Sequence, residues 1–268
     1  MIWVFRVIGQ HPDSRIQCPV MTQERRRTVV VTPTYDERET IADLVAAILS
    51  QQERVPTYEL HVLVADSHSK DGTLEIVTGL VAANPYVHLL DVRERGIGIG
   101  LFKGFQSAID TLDAEVLIEM DADFQHNPAD IPAFLAKIDE GYDLVVGSRF
   151  VEGSVNAMPF GRRVLSVGAN QLVRLMLGLH GLTEITTSYR AFTREAFLKV
   201  DPSSVPWREK SFIFVPVFLV RMLDTGARST EIPMTMHPRV QGYSKMSYWR
   251  YIRDIVGFSL KSRIGRVG

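Results

Sequence analysis

Short apolar runs rich in β-branched residues alternate with stretches of helical periodicity, and this alternation limits what the chain can fold into. Residues 28–32, 58–65, 87–92, 116–120 and 143–148 read as strands. Residues 39–52, 73–83, 101–112 and 132–140 read as helices; the first carries Ile41, Leu44, Val45, Ile48 and Leu49 at helical spacing. Such alternation predicts an α/β fold with a mostly parallel central sheet flanked by helices. Beyond residue 150 the pattern changes. Residues 162–179 read as one amphipathic helix with Arg162, Arg163 and Arg174, residues 189–192 and 229–233 as short strands, and residues 247–263 as a final helix. At 268 residues the chain is long enough for one large α/β domain or two small ones.

Composition removes several function classes. Lys and Arg total 30 against 31 Asp and Glu, so bulk charge gives no sign of nucleic-acid binding. Cys18 is the single cysteine, which excludes a disulfide framework and a Cys-rich zinc site and fits a reducing compartment. No run approaches the roughly 20 apolar residues that span a bilayer. The apolar segment 212–223 is interrupted by Pro216 and Arg221. Residues 1–23 lack a basic front and any period and are read as an extension, with Met21 a candidate start of translation. Residues 24–246 form the expected domain, and residues 247–268 an amphipathic, membrane-interfacial helix.

The chemistry concentrates at strand ends. Asp121-Ala122-Asp123 follows the run 116–120 and precedes Phe124-Gln125-His126-Asn127-Pro128. In an extended segment residues i and i+2 point to one side, so the two carboxylates converge at the mouth of the strand. A hard divalent cation would remove their repulsion and hold a diphosphate. A solvated acidic turn is the plainer alternative. Loops 33–37, 66–73, 121–125 and 147–149 all follow strands, and in a parallel sheet they share one edge, where ligands bind. Asp66 follows its strand directly and is the better ligand candidate in its loop; Asp71-Gly72-Thr73 reads as a structural turn, and Asp36 and Glu37 serve either a ligand or the following helix. Gly96-Ile97-Gly98-Ile99-Gly100 is not a dinucleotide fingerprint, because Leu101 and Lys103 stand where the third glycine is required. Close backbone packing at a helix start accounts for it better. Arg239 and Lys245 flank a segment able to close over a diphosphate. The last helix mixes Tyr248, Trp249, Tyr251 and Phe258 with Arg250, Arg253, Lys261 and Arg263, which suits a membrane interface or the domain core.

These motifs resemble those of family 2 glycosyltransferases with the GT-A (Rossmann-like) fold, and most of all the polyprenol-phosphate (dolichol-phosphate) mannose synthases. The resemblance runs from about residue 28 to about residue 261. Pro33-Thr34-Tyr35-Asp36-Glu37 resembles P-x-Y-N-E, residues 66–73 resemble D-D-x-S-x-D-G-T, and Asp121-Ala122-Asp123-Phe124-Gln125-His126 resembles D-A-D-x-Q-H. Gly147-Ser148-Arg149, Pro159 with Arg162-Arg163, and Arg239 with Gly242-Ser244-Lys245 also match. The resemblance implies that Asp36, Glu37 and Asp66 hold the nucleoside, with Pro33, Tyr35, Ala122 and Arg190 completing the donor site. Asp121, Asp123 and Gln125 would hold Mg²⁺ or Mn²⁺ and the diphosphate, and Arg149, Arg162, Arg239 and Lys245 would serve donor or acceptor phosphates. The chain departs from the family at Asp36 (Asn is usual), Ser67 (Asp is usual), Ile99-Gly100-Leu101, and Val217, where an acidic residue is usual. It also departs at Glu184-Ile185-Thr186-Thr187-Ser188-Tyr189-Arg190, where the family has D-P-T-S-G-F/Y-R.

The implied activity is inverting, metal-dependent transfer of a hexose, mannose foremost, from GDP-mannose or a UDP-hexose to a polyprenyl phosphate. The implied place is the cytoplasmic face of the membrane, reached peripherally or through an anchoring partner. Two other readings stay open: transfer to a hydroxyl acceptor, with Glu184 as the base that a hydroxyl requires, and a catalytically silent nucleotide-sugar-binding subunit.

Overall fold

The computed structural model describes residues 24–157, 160–177, 181–208, 212–237, 253–254 and 256–257. Four strands begin the sheet: β1 (Arg26–Thr34), β2 (Tyr58–Asp66), β3 (Val87–Asp91) and β4 (Val116–Glu119). Helices α1 (Ile41–Leu49), α2 (Thr73–Ala83) and α3 (Ile97–Leu112) connect them, and α4 (Ile131–Asp139) leads to β5 (Leu144–Ser148). The remaining elements are β6 (Val155–Asn156), α5 (Phe160–Leu177), β7 (Arg190–Thr193), α6 (Arg194–Leu198), α7 (Phe214–Asp224), β8 (Ser229–Pro233) and β9 (Thr235–Met236).

The seven-stranded sheet has the order β3-β2-β1-β4-β7-β5-β8. β1 is parallel to β2 and β4, and β5 is parallel to β8. β7 alone is antiparallel, wedged between β4 and β5. Two reversals cancel, so β1, β2, β4 and β5 all point their carboxyl ends to one edge, as expected. β6 and β9 form a separate two-stranded sheet. The result is one α/β domain with a mostly parallel sheet. Of the expected final helix, residues 253–254 and 256–257 are helical; the rest lies outside the described residues.

Alternating side chains feed two apolar layers. On one face, Val30, Val62, Val64 and Ile118 pack with Ile41, Leu44, Ile48, Val77, Phe134 and Leu135 of α1, α2 and α4. On the other, Val29, Val31 and Leu117 pack with Leu101 and Phe105 of α3, Phe197 of α6 and Phe214, Phe218 and Leu219 of α7. Phe105 meets Phe192 edge to face at 5.0 Å and stacks on Phe218 at 5.7 Å. Val217, at the position where the family is acidic, is buried in this second layer.

The glycine-rich stretch is not a loop. Residues 97–100 form the first turn of α3, against the expectation of a helix beginning at Leu101. Close packing explains it: a Cβ on Gly98 would lie 2.9 Å from Phe214 Cβ, and one on Gly104 would lie 2.5 Å from Val31 Cγ1. Gly79 in α2 has nothing within 4 Å. Gly104→Ala is therefore expected to destabilise the protein by about 1–3 kcal/mol through overpacking. Gly79→Ala should stabilise it by about 0.5–1 kcal/mol. Denaturant unfolding of both variants checks the contrast.

Candidate active site

Two loops at the shared edge are stitched together by side chains. Asp66 ends β2 wholly buried. Its Oδ1 accepts the Ser69 N–H (2.8 Å), and its Oδ2 accepts the Ser69 hydroxyl (2.6 Å). Ser69 Oγ in turn accepts the Asp36 N–H (2.8 Å), and Asp36 Oδ1 accepts the Lys70 N–H (2.9 Å). The Glu37 N–H donates to Thr73 Oγ1 (3.0 Å). Asp66 thus shapes its own loop through both carboxylate oxygens. Asp71 does what its turn predicts, accepting from the Thr73 N–H and hydroxyl. Asp36 holds the left-handed region at φ 52°, where a non-glycine residue stays only when its surroundings hold it. Pro33, half-buried, is the penultimate residue of β1. Tyr35 lies under Arg95, whose guanidinium carbon sits 4.1 Å from the ring centroid and whose Nη2 meets the Tyr35 hydroxyl. No sequence pattern points to Arg95, because it lies 60 residues from Tyr35 in the chain and only folding brings the two together.

The acidic loop is a turn rather than an extension of the strand. β4 ends at Glu119, residues 122–123 turn, and Phe124 takes φ 59°. The alternation argument for two converging carboxylates therefore does not carry past Glu119; other contacts fix the loop. The Asp121 N–H donates to His126 Nδ1 (3.1 Å). Ser188 Oγ donates to Asp121 Oδ2 (2.8 Å). Asp123, nearly buried, accepts the Gln125 N–H on Oδ1 (3.0 Å). The Ala122 carbonyl accepts the Thr40 hydroxyl (3.0 Å), and the Gln125 carbonyl accepts the His237 N–H (3.0 Å). His126 stacks on Tyr189 at 4.8 Å, and the Tyr189 hydroxyl donates to the Asn127 carbonyl (2.7 Å). Burial pushes the His126 pKa down to about 4, so its ring is neutral near pH 7.

Two carboxylates and an amide oxygen on one turn form a hard-oxygen donor set. Among the described residues no group of three or more His, Cys, Asp or Glu could hold a metal ion unaided. That combination suits Mg²⁺ or Mn²⁺ bound by one or two carboxylates and sharing its coordination with substrate phosphates. Asp121, Asp123 and Gln125 carry the chemical groups that such an ion takes.

Arg149 and Glu184 meet where β5 ends. Arg149 Nε donates to Glu184 Oε2 (2.6 Å) and Nη2 donates to Oε1 (2.9 Å), a bidentate pair. Glu184 is 0% exposed. Burial works to raise its pKa, but the Arg149 charge and hydrogen bonds from Arg149 and Thr186 outweigh that, and the carboxyl is held below its usual range. Glu231 of β8 supports this corner by accepting the N–H of Thr183 (2.8 Å) and of Glu184 (2.7 Å). A carboxylate with a lowered pKa and a bidentate partner is a poor proton acceptor, which corrects Glu184 as a general base. Arg149 is likewise buried against Glu184 and Thr186 rather than presented to a phosphate.

Arg190 is corrected as well. It is 0% exposed, and its Nη1 and Nη2 donate to the carbonyls of Val215 (2.7 Å) and Ile185 (2.9 Å). Its Nη1 also lies 3.8 Å from the buried Glu119, whose carboxyl burial pushes up to about 8. Arg190 ties β7 to α7 instead of lining the donor site. Arg162 lies on α5, and nothing is described of its side chain; Pro159, Arg239 and Lys245 lie outside the described residues.

The glycosyl transferase family 2 model matches residues 29–200. The chain belongs to glycosyl transferase family 2. This glycosyltransferase is 35% identical over 244 residues to the polyprenol monophosphomannose synthase of Mycolicibacterium smegmatis, covering 90% of this chain and 89% of that protein. It is 34% identical over 224 residues to the undecaprenyl-phosphate mannosyltransferase of Micrococcus luteus, covering 82% and 88%. Among solved structures, glucosyl-3-phosphoglycerate synthase from Mycobacterium tuberculosis, in complex with Mn²⁺, UDP and glucosyl-3-phosphoglycerate, superposes with TM-score 0.62 at 18% identity. That match covers 90% of this chain and 81% of the other, and it shows the shared fold.

Breaking the Arg149–Glu184 pair leaves a buried charge, so Arg149→Ala is expected to destabilise the glycosyltransferase by about 3–5 kcal/mol. The folded pKa of Glu184 lies below its unfolded one. Its contribution to stability is therefore full above the ordinary carboxylate pKa and lost as pH falls through the lowered value. Glu184→Gln should flatten the acid limb of the stability–pH curve, measured by urea unfolding across pH 3–7; an unchanged limb counts against the pair.

Proposed function

We propose that this glycosyltransferase transfers mannose from GDP-mannose to a polyprenyl phosphate, with inversion and with the help of Mg²⁺ or Mn²⁺. The observation that carries the reading is the pinned acidic loop at the end of β4, in a chain related over most of its length to polyprenyl-phosphate mannosyltransferases. Asp36, Glu37 and Tyr35 form the floor for the nucleoside, on loops already locked to each other. Asp121, Asp123 and Gln125 hold the cation. When bound, it neutralises charge on the diphosphate as that group leaves. Arg239 and Lys245 supply further positive charge to donor or acceptor phosphates.

The acceptor phosphate is anionic near pH 7, so no protein base is needed, and catalysis is positioning plus electrostatics. An acceptor phosphate oxygen attacks the anomeric carbon. The bond from that carbon to the diphosphate oxygen breaks, and the nucleoside diphosphate leaves with the electron pair. Direct displacement turns an α-linked donor into a β-linked sugar phosphate. The locked state of Glu184 supports this reading over a hydroxyl acceptor, which requires a base.

Lipid access is peripheral in this reading. Among the described residues no helix is long and apolar enough to cross a membrane. Leu175 is 74% exposed and Leu172 is also exposed, one turn apart on α5, an apolar stripe that supports contact with a lipid surface alongside the segment 247–268. The face concerned is the cytoplasmic one, and an anchoring partner is compatible with it.

The deciding experiment is a mass-spectrometric transfer assay with a short polyprenyl phosphate and either GDP-mannose or UDP-glucose. A β-mannosyl phosphate lipid, lost with EDTA, is expected from GDP-mannose, and Asp123→Ala should lower turnover about 100-fold or more. Metal-independent product, or full activity in Asp123→Ala, would sink the mechanism. Metal-dependent donor binding with no transfer to any acceptor would favour a silent subunit. Separately, the Leu172→Asp, Leu175→Asp double variant should float less with lipid vesicles than the parent protein; equal flotation removes α5 from the membrane face.

A further inference from the structure

Ser188 stands where the family motif has glycine, and the sheet brings it to the acidic loop. β4 and β7 pair antiparallel with Glu119 opposite Arg190. The pairing stops there, and Asp121, two residues past β4, meets Ser188, two residues before β7, through their side chains. Ser188 Oγ donates to Asp121 Oδ2 at 2.8 Å. A carboxylate only accepts, so the hydroxyl proton is directed at it. The serine is itself well held. It is buried, and its neighbours Tyr189 and Arg190 are anchored by His126, the Asn127 carbonyl, and the carbonyls of Ile185 and Val215. Asp121 is held by its N–H on His126 Nδ1 and by its Oδ2 on Ser188, while its side chain remains 30% exposed at the sheet edge.

We propose that Ser188 is a positioning residue that orients the Asp121 carboxylate toward a divalent cation, a role that glycine at the same place has no side chain to perform. The proposal rests on the metal-dependent reading above. Outer-shell partners that orient a metal-ligating group are typically worth about 10–100-fold in metal affinity. Fixing Asp121 before the ion arrives removes rotamer freedom that binding would otherwise have to quench.

The test is Mn²⁺ binding to the full chain, measured by electron paramagnetic resonance with GDP or UDP present, whichever supports transfer. The parent is compared with Ser188→Ala and Ser188→Gly. Expected is about tenfold weaker Mn²⁺ binding in both variants, with nucleotide affinity in the absence of metal unchanged and Tm within about 2–4 °C of the parent. Parent-like Mn²⁺ affinity in both variants overturns the proposal. So does a matching loss of metal-free nucleotide affinity, which marks a general collapse of the site. If the parent itself shows no nucleotide-dependent Mn²⁺ binding, the metal-dependent reading beneath the proposal falls with it.

Discussion

One antiparallel strand, β7, decides where the rest of this site can be. It lies between β4 and β5 and pairs with both, so the chain entering it is forced onto the edge where the parallel strands end. Residues 183–189 therefore sit beside the acidic loop on one side and beside Arg149 on the other. A purely parallel arrangement would place a strand's entry at the far edge, away from ligand. The reversed strand thus gives the ligand-binding edge a second set of side chains in fixed register.

Two kinds of carboxylate share that edge, and their surroundings separate their roles. Glu184 is dry and bound in bidentate fashion by Arg149, with Glu231 holding the backbone beneath it. Asp121 is partly open to solvent and accepts the Ser188 hydroxyl. In a low-dielectric corner a charge persists only when paired, whereas a partly hydrated carboxylate can exchange its partners for a cation. His126 stacks on Tyr189 behind the loop, and the Nδ1 lone pair of its neutral ring is taken by the Asp121 N–H.

The alternation of apolar runs with helical periodicity made the parallel part of the sheet legible, because β1, β2 and β4 bury both faces and read as continuous β-branched or apolar runs. α2 and β8 emerged with the bounds that periodicity predicts. The β7 wedge was not legible as such: Arg-Ala-Phe-Thr is four residues with a charged start, and its orientation depends on partners far along the chain. Residues 96–100 read as preceding a helix that begins at Leu101, and glycine in a helix costs propensity. The compensating gain, close approach to Phe214 and Val31, exists only in three dimensions. Glu184 and Arg190 take buried partners that no local pattern reveals, 35 residues away in sequence for Glu184 and Arg149. Ser188 had a signal, a polar side chain in place of glycine, but its meaning needed the β4–β7 register.

The chain of bonds from Asp66 through Ser69 to Asp36, with Lys70 and Thr73 closing it, spans two loops that are remote in sequence. Loops joined in this way behave as one plate. A donor landing on them would not have to freeze wandering backbone, so little of its binding free energy is lost to ordering the protein there. Selectivity at such a plate works by shape mismatch: a nucleoside of the wrong outline finds no slack to settle into. Adaptation to a new donor would then come from replacing side chains on the plate, because its backbone has nowhere else to go.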